Sequence, residues 1–293
     1  MTVLLLLPAL LLLVVVFVGP LLRYAWLSFH ADSVVTGLIA IPNGGANWVR
    51  LAQDHRYWQD FGQTLRFACV SVGLELILAL LIALLLDQRW RGRGFVRTLA
   101  LIPWALPTTV MALGWRWIFN TPYGPIDSLT TILGIGSLNI LGDPRITWMA
   151  TVWSDVWKTT PFAALILLAG LQTIPVDLYE AVRLEGGTAW ICLRRITLPL
   201  LRPYILLALL FRLAQAFGVF DLIQVLTGGG PASSTESVAL YAYWNALRFL
   251  DFGYSSTIIM ASFLLITALC LIAWLVLHIL IPTQSKSREV IEL

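Results

Sequence analysis

The sequence predicts an all-α, polytopic membrane protein with six transmembrane helices, and three observations support this fold class. Of the 293 residues, 59% are hydrophobic and only 12% are charged, whereas a soluble domain carries about 25% charged residues. Six segments approach the roughly 20 apolar residues that a helix needs to cross a bilayer. Basic residues also concentrate in alternate loops. The predicted spans are Val3–Leu22, Leu65–Leu86, Thr98–Phe119, Ile146–Leu171, Tyr204–Leu226 and Ser256–Ile281.

The first predicted span has an alternative interpretation, because a cleaved signal peptide is also an apolar N-terminal segment. A signal peptide has a basic n-region followed by an apolar core of roughly 7–15 residues. Here no basic residue precedes the apolar segment, which continues to Leu22. We therefore expect a retained span. The chain begins abruptly within it, which leads us to expect a cytoplasmic segment upstream of this start.

The loop arginines and lysines predict the orientation of the chain, because cytoplasmic loops are enriched in them. With a cytoplasmic N-terminus, ten of the nineteen basic residues lie on the inside and five on the outside, and the rest lie in spans. We expect both termini to be cytoplasmic. The inside set is Arg89, Arg91, Arg93, Arg97, Arg183, Arg194, Arg195, Arg202, Lys286 and Arg288, and the outside set is Arg23, Arg50, Arg56, Arg145 and Arg248.

Several classes of function are disfavoured by the sequence. No basic run of the kind that binds nucleic acid is present, and Cys69, Cys192 and Cys270 are too far apart for a disulfide framework or a metal-binding spacing. The glycines at 228–230 are followed by Pro231 rather than by the Lys-Ser/Thr that completes a phosphate-binding loop. We expect an outside turn there, no ATP hydrolysis by this chain, and neither a metal nor a cofactor bound by it.

A polar insert, Glu180–Pro203, separates the fourth and fifth predicted spans and carries six charged side chains. We expect a short helix from Leu178 to Trp190 with a bend at Gly186–Gly187, and Pro199 and Pro203 then allow another helix to begin. Its spacing is Glu-Ala-Val, three residues, glycine, nine residues, and then Ile-x-Leu-Pro. This pattern resembles the cytoplasmic "EAA" loop in the membrane-spanning subunits of bacterial binding-protein-dependent ABC importers. It departs from the family at Val182, Glu185 and Gly187, where Ala, Asp and Ala are usual.

The resemblance implies the transmembrane domain of a type I ABC importer, a transport subunit rather than an enzyme. Residues 1–293 would form one permease domain in the bacterial cytoplasmic membrane, with a core at 60–282 and a coupling loop at 178–203. The implied partners are a second homologous permease subunit, two copies of an ATPase that bind ATP and Mg, an extracytoplasmic solute-binding protein and membrane lipid. The implied contacts with the ATPase are made by Glu180, Ala181, Arg183, Glu185, Gly186, Arg194 and Arg195.

Further motifs resemble the maltose and glycerol-phosphate branch of this family. They are Arg91-Gly-Arg-Gly94, Ile102-Pro-Trp-Ala-Leu-Pro107, Trp115-Arg-Trp117, Leu171-Gln-Thr-Ile-Pro175, Val219-Phe-Asp-Leu222, Leu226-Thr-Gly-Gly-Gly-Pro231 and Asp251-Phe-Gly-Tyr254. Within that branch, Trp157-Lys-Thr-Thr-Pro-Phe162 and Leu210-Phe-Arg212 are most similar to permeases for trehalose and related glucosides such as glucosylglycerol. The implied substrate is a di- or oligosaccharide or a glycoside, including sucrose-like sugars. Glycerol phosphate, an amino acid or a peptide remain alternatives, and a secondary transporter is a more distant one.

Charged side chains inside the predicted spans indicate where a substrate could bind, since each costs about 2.5–3.5 kcal/mol at the bilayer centre unless it is paired or faces water. Two faces with helical spacing contain such residues. The alternative is an ion pair of Asp155 with Lys158 or Arg212 that holds two spans together, and both roles can coexist. The first face is Asp155, Lys158, Thr159 and Phe162, and the second is Arg212, Gln215, Ala216 and Val219. Resemblance to the maltose-type permease implies substrate contacts at all of these except Gln215.

Overall fold

The computed structural model describes residues 2–88 and 90–280 and is helical almost throughout. Arg89, Lys286, Arg288 and the predicted ends of the last span and of the core, at 281 and 282, lie outside these residues. The described chain divides into two units, one comprising the residues up to Thr64 together with Glu236–Ala268, and the other Leu65–Thr235 together with the residues from Leu269 onward. Two helices, α4 (His55–Asp87) and α14 (Phe252–Leu280), have residues in both.

The first unit begins with an apolar helical segment and continues into a short hairpin. Apart from its parts of α4 and α14, its elements are α1 (Thr2–Leu13), a π-helical segment (Val14–Val18), α2 (Gly19–Leu27), β1 (His30–Ala31), a 3-10 turn (Val34–Thr36), β2 (Ile41–Pro42), α3 (Ala46–Gln53) and α13 (Val238–Leu247). The two strands pair antiparallel, with His30 opposite Pro42. An apolar core that includes Tyr57, Tyr254 and Ile258 packs α3, α4, α13 and α14 together.

A group of charged side chains, which we call the acid cluster, lies beside this core and consists of Asp54, Arg56, Asp60 and Glu236. Arg56 donates to both oxygens of the buried Glu236 carboxylate, at 2.8–3.1 Å. Asp54 accepts hydrogen bonds from the hydroxyls of Tyr241 and Tyr254. Asp60 is 1% exposed and neither of its carboxyl oxygens receives a hydrogen bond from the described part of the chain.

The second unit contains the helices that are predicted to carry the functional residues. They are α5 (Arg93–Ala105), α6 (Thr108–Ile118), α7 (Pro125–Ile132), α8 (Pro144–Leu171), α9 (Val176–Leu184), α10 (Ala189–Cys192), a π-helical segment (Leu193–Thr197), α11 (Leu198–Phe217) and α12 (Asp221–Leu226). Its largest apolar core joins α4, α8 and α11. The packing of α8 on α11 is close at Gly170, where an added Cβ would lie 2.5 Å from the Tyr204 ring.

The prediction of a helical protein that crosses the membrane several times is confirmed, but the bounds of several predicted spans need correction. Among the described residues, four helical segments are long and apolar enough to cross a bilayer, Leu7–Leu27, His55–Asp87, Ala189–Phe217 and Phe252–Leu275. Counting two sharply bent helix pairs as spans brings the number to six. The predicted third span, Thr98–Phe119, is wrong as a single helix, because α5 and α6 meet at 89° where Leu106-Pro107 interrupts the helical hydrogen bonds.

The fifth predicted span, Tyr204–Leu226, also differs from the structure. The preceding π-helical segment leads into α11 at Leu198, and α11 ends at Phe217, with Gly218 as its C-cap. Val219 therefore lies after the helix, and the predicted helical face of Arg212, Gln215, Ala216 and Val219 is correct only for its first three members. The triple glycine forms the expected turn, since Gly228 and Gly229 adopt φ of +61° and +87°, which favours glycine.

Candidate functional site

Arg212 is the centre of a buried group of charges that we call the ion cluster, formed by Glu75 on α4, Asp155 on α8 and Arg212 on α11. The Arg212 side chain is 2% exposed. Its Nε donates to Glu75 Oε2 at 2.5 Å, and its Nη2 donates to Glu75 Oε1 at 2.9 Å and to Asp155 Oδ2 at 3.1 Å. Because charges in a membrane interior must be paired or hydrated, this arrangement holds three helices together.

Two uncharged side chains complete the ion cluster. The Arg212 Nη1 donates to Gln215 Oε1 at 2.5 Å. The Thr159 hydroxyl lies 2.8 Å from Glu75 Oε1 and 2.7 Å from the Asp155 carbonyl oxygen, either of which accepts its proton. Four of these five residues are substrate-binding candidates from the sequence, and the structure brings all four together. The fifth, Glu75, is a charge within an apolar span that the sequence predicts to accept from a nearby helix or a partner subunit, and here α11 and α8 supply its donors.

Lys158 lies one helical turn from Asp155 but contacts a different part of the unit. Its Nζ donates to the carbonyl of Leu106 at 2.6 Å and lies 3.4 Å from that of Trp104. These carbonyls are at the C-terminal end of α5, where the break before α6 leaves them without helical partners. A positive charge there also interacts favourably with the helix dipole. Lys158 therefore stabilises the break and retains donor capacity for a further acceptor.

An aromatic cluster adjoins Lys158. The Phe162 ring stacks on Trp104 with centroids 5.1 Å apart, and Phe211 lies 5.1 Å away on a tilted plane. Phe162 is only partly exposed, while Trp104 and Phe211 are each 45% exposed. The rings available to a ligand are therefore mainly Trp104 and Phe211. Both stand inside motifs that the sequence analysis quoted, but their helical positions fall outside the two predicted faces.

The remaining substrate candidates differ in their surroundings. Ala216 is 2% exposed, whereas Gln215 is exposed. Val219 packs against the apolar residues around Phe67 and Val156. The structure thus places Ala216 and Val219 in packed positions, and their contact with a substrate stays a prediction.

The segment from α9 to Thr197, which we call the coupling segment, is two helices joined by a tight turn. The bend expected at Gly186–Gly187 is confirmed, but it separates two helices instead of bending one, because α9 ends at Leu184 and α10 begins at Ala189. Gly186 adopts φ of +80°, which ends the first helix, and the Thr188 hydroxyl caps the second. All seven residues predicted to contact the ATPase are exposed here.

Gly187 explains two of the three departures from the family pattern. A Cβ at Gly187 would lie 2.3 Å from Val182 Cγ1 and 2.7 Å from the Val182 carbonyl oxygen. The larger side chain at position 182 thus occupies space that the smaller residue at position 187 leaves. The coupling segment also exposes two large apolar side chains that are not among the predicted contacts with the ATPase, Leu184 at 90% and Trp190 at 66%.

The coupling segment is attached to the apolar core that contains the helices of the ion cluster. Tyr179 and Val182 pack against the core formed by α4, α8 and α11, with Leu171, Ile174 and Ile196 among its members. The Tyr179 hydroxyl lies 3.1 Å from Thr197 Oγ1, which ties the two ends of the segment together. The helix α9 therefore packs on the same apolar core as the helices of the ion cluster.

The fold and these two regions define a polytopic membrane subunit with an exposed helical segment rigidly joined to its transmembrane core. The chain belongs to the family of binding-protein-dependent transport system inner membrane components, whose model matches residues 75–284. This confirms the family recognised in the sequence. The chain is thus an inner-membrane component of a transport system, a class that is not itself enzymatic.

Three relatives cover most of this chain. It is 42% identical over 270 residues, 92% of this chain and 90% of the relative, to the trehalose/maltose transport system permease protein MalF of Thermococcus litoralis. It is 37% identical to the sulfoquinovosyl glycerol transport system permease protein SmoG of Agrobacterium fabrum, covering 90% and 86% of the two chains. It is 36% identical to the trehalose transport system permease protein SugA of Mycobacterium tuberculosis, covering 86% and 80%.

A solved structure has the same fold. A chain of a bacterial alginate ABC transporter, in complex with an alginate pentasaccharide-bound periplasmic protein, superposes with a TM-score of 0.81 at 22% identity, covering 95% of this chain and 94% of that one. The fold class predicted from the sequence, an all-α transmembrane domain of the ABC importer type, is therefore confirmed.

Proposed function

We propose that this chain is one of two homologous permease subunits of an ATP-driven importer for a di- or oligosaccharide or a glycoside. The observation that carries the proposal is the single apolar core that joins the coupling segment to α4, α8 and α11. It provides a mechanical path from an exposed docking helix to the helices that hold the ion cluster. The carbohydrate class is supported by the relatives, three of which are named as permeases for trehalose, maltose or sulfoquinovosyl glycerol.

In this proposal the ATPase is a separate subunit, present in two copies, that binds ATP and Mg. The exposed Leu184 and Trp190 supply apolar contact area, and the Glu180, Arg183 and Glu185 side chains supply polar contacts around it. Closure of the two ATPase subunits moves α9, and the shared core carries this movement into α8 and α11. A solute-binding protein delivers the substrate on the opposite side, and both termini are cytoplasmic.

The proposed substrate contacts use the exposed aromatic rings and the polar groups beside them. Trp104 and Phe211 present ring faces of the kind that stack on the apolar face of a sugar. Lys158 has donor capacity left after binding the Leu106 carbonyl, and Gln215 is exposed. Asp155 and Arg212 satisfy each other, so a substrate hydroxyl would reach them through the remaining lone pairs of the Asp155 carboxylate.

The test is uptake of labelled trehalose, maltose, sucrose and glucosylglycerol by cells with and without the gene. We expect uptake of at least one of them to be lost on deletion and restored by the wild-type gene. Replacing both Trp104 and Phe211 by Ala should then raise KM about fivefold or more, since each aromatic contact contributes about 0.5–1.5 kcal/mol. Unchanged uptake of every sugar and glycoside in the deletion strain would overturn the carbohydrate assignment.

Two glycine-to-proline variants test the coupling role. Gly186→Pro is incompatible with φ of +80°, because the proline ring fixes φ near −65°. Gly134→Pro is the matched control, since Gly134 has φ of +73° in a turn after α7 and also has open space around it. We expect Gly186→Pro to dissociate the ATPase or to uncouple ATP hydrolysis from uptake, and Gly134→Pro to do neither. Normal transport by Gly186→Pro would exclude the docking role.

A further inference from the structure

The hairpin between α2 and α3 exposes an unusual amount of aliphatic surface. Residues 33–49 contain no charged side chain between Asp32 and Arg50. From the end of β1 to the start of β2, the exposed aliphatic side chains are Val34 at 60%, Val35 at 95%, Leu38 at 52%, Ile39 at 65% and Ile41 at 49%. Contiguous apolar patches of this kind mark sites that contact a membrane or another protein.

The hairpin is held rigidly at its base. Asn47 Nδ2 donates to the carbonyl oxygen of His30 at 3.0 Å, and the Gly253 N–H donates to that of Asp32 at 3.2 Å. The approach to α14 is so close that a Cβ at Gly253 would lie 2.1 Å from the His30 carbonyl oxygen. The apolar tip is therefore presented in a fixed position instead of collapsing onto the unit.

Several polar groups at the start of the tip are paired within it. The Ser33 N–H donates to Thr36 Oγ1 at 3.0 Å, as in a capping box, and the Thr36 hydroxyl donates to the Ser33 carbonyl at 3.0 Å. The Leu38 N–H donates to the same carbonyl at 2.9 Å. This matters because polar backbone groups that leave water without partners are costly.

The position of the hairpin along the chain indicates which surface covers it. It begins three residues after Leu27, the end of the candidate span Leu7–Leu27. The end of that span carries Arg23 stacked on Trp26, and Trp26 stacked on His30 at 3.8 Å. Tryptophan and basic side chains of this kind anchor span ends at the headgroup level of a bilayer. The hairpin therefore leaves the span at the membrane interface.

We propose that the tip of this hairpin, Val34–Ile41, inserts into the lipid leaflet next to the end of α2. The tip lies beyond two strands of two residues each and begins with the 3-10 turn Val34–Thr36. Interfacial segments bury their apolar face by roughly 5–10 Å at the boundary of headgroups and acyl chains. The absence of charge favours lipid over a solute-binding protein, since transient protein contacts have a polar rim. The non-helical backbone limits the depth, because such backbone is not exposed to lipid in the hydrocarbon core.

The test uses the full chain, freed of its three cysteines, in nanodiscs of phosphatidylethanolamine and phosphatidylglycerol. An environment-sensitive fluorophore is attached at Val35→Cys or, as a control in the same unit, at the exposed Gln59→Cys. We expect lipids brominated near the headgroup end of the acyl chain to quench the probe at position 35 at least threefold more than the probe at position 59. Val35→Asp combined with Ile39→Asp should lower the melting temperature in nanodiscs and leave it unchanged in detergent.

Equal quenching at the two positions would overturn the proposal. A probe at position 35 that is shielded only when a solute-binding protein or a second permease subunit is added would also overturn it, and would assign the tip to a protein interface. Neither result depends on what the chain transports.

Discussion

The ion cluster and the acid cluster each contain an arginine and two buried carboxyls, to which the acid cluster adds the partly buried Asp54, but the buried carboxyls are satisfied in different ways. In the ion cluster Arg212 is at the centre, 2% exposed, and donates to both Glu75 and Asp155. In the acid cluster Arg56 is at the edge, with its side chain 43% exposed, and donates only to Glu236. The second carboxyl there, Asp60, receives no hydrogen bond from the described residues.

The comparison shows that the position of the donors, rather than the count of charges, decides whether enclosed carboxylates are stabilised. A guanidinium has five N–H donors in a fixed planar fork and serves two carboxylates only when it lies between them. Arg212 meets this condition because α4, α8 and α11 surround it. Arg56 lies at the second position of α4 and reaches Glu236 from the outer side. We expect the two clusters to respond in opposite directions when a carboxylate is neutralised.

The largest effect is expected from Arg212→Met. This change leaves Glu75 and Asp155 without their shared cation, and removing one partner of a buried pair costs about 3–5 kcal/mol. The purified chain in detergent should melt at a much lower temperature, or fail to accumulate. Arg50→Met is the control, because its pair with Asp251 is exposed on the arginine side and contributes about 0–1 kcal/mol.

A triple variant separates charge pairing from packing at Arg212. Arg212→Met with Glu75→Gln and Asp155→Asn removes all three charges while keeping similar side-chain volumes. Replacing a whole buried ion group by neutral residues is often tolerated, so much of the lost stability should return. If the triple variant melts as low as Arg212→Met, packing and not unpaired charge determines the stability of this site.

The next largest effect is a difference in stability between the variants Asp155→Asn and Asp60→Asn. In the ion cluster Asn offers Arg212 a neutral oxygen in place of a carboxylate and so removes the ion pair, and we expect a loss of about 1–3 kcal/mol. In the acid cluster Asn supplies an N–H that Glu236 can accept and carries no charge of its own, so stability should stay constant or rise. Thermal unfolding of the two variants beside wild type measures both. An equal fall in melting temperature for both variants would contradict the distinction between the clusters.

The sequence predicted that Arg212 and Asp155 belong to the site or pair with each other, because charges are rare in an apolar span and cannot be left unpaired there. It did not predict that Glu75 binds both Arg212 and Thr159, since 84 residues separate Glu75 from Thr159 and no local pattern encodes that contact. The acid cluster was not predicted at all, because Asp60 and Glu236 lie in stretches with ordinary polar composition. Their burial results from tertiary packing.

The same limit explains the corrected helices. Hydropathy is almost uniform from Thr98 to Phe119, so it predicts one span, while the chain bends by 89° at Leu106-Pro107. The prolines at 103 and 107 were the available signal, but Pro103 remains inside α5 and only Pro107 accompanies the break. Proline alone does not decide between a tolerated position and a break. The Lys158 contact with the Leu106 carbonyl stabilises the break, and that contact depends on α8.

The smallest effect concerns Asp54, the carboxylate of the acid cluster that is well supplied with donors. Burial raises the pKa of Asp54, but hydrogen bonds from Tyr254, Tyr241 and the backbone outweigh burial and hold this pKa below its usual value. A carboxyl with a lower pKa in the folded than in the unfolded chain stabilises the fold above its unfolded pKa, near 4. That stabilisation is lost as the pH falls through the folded-state pKa.

Tyr241→Phe and Tyr254→Phe remove these two donors while keeping the rings over which Arg56 and Arg50 lie. Because Asp54 is only partly buried, we expect each change to cost about 1 kcal/mol at pH 7. The double variant should also lose less stability than wild type between pH 5 and pH 3, since its Asp54 pKa is closer to the unfolded value. Melting temperatures across this pH range, with the 82% exposed Tyr123→Phe as control, measure the difference. Parallel pH profiles for wild type and the double variant would show that the two tyrosines do not set the ionisation of Asp54, and that its backbone donors suffice.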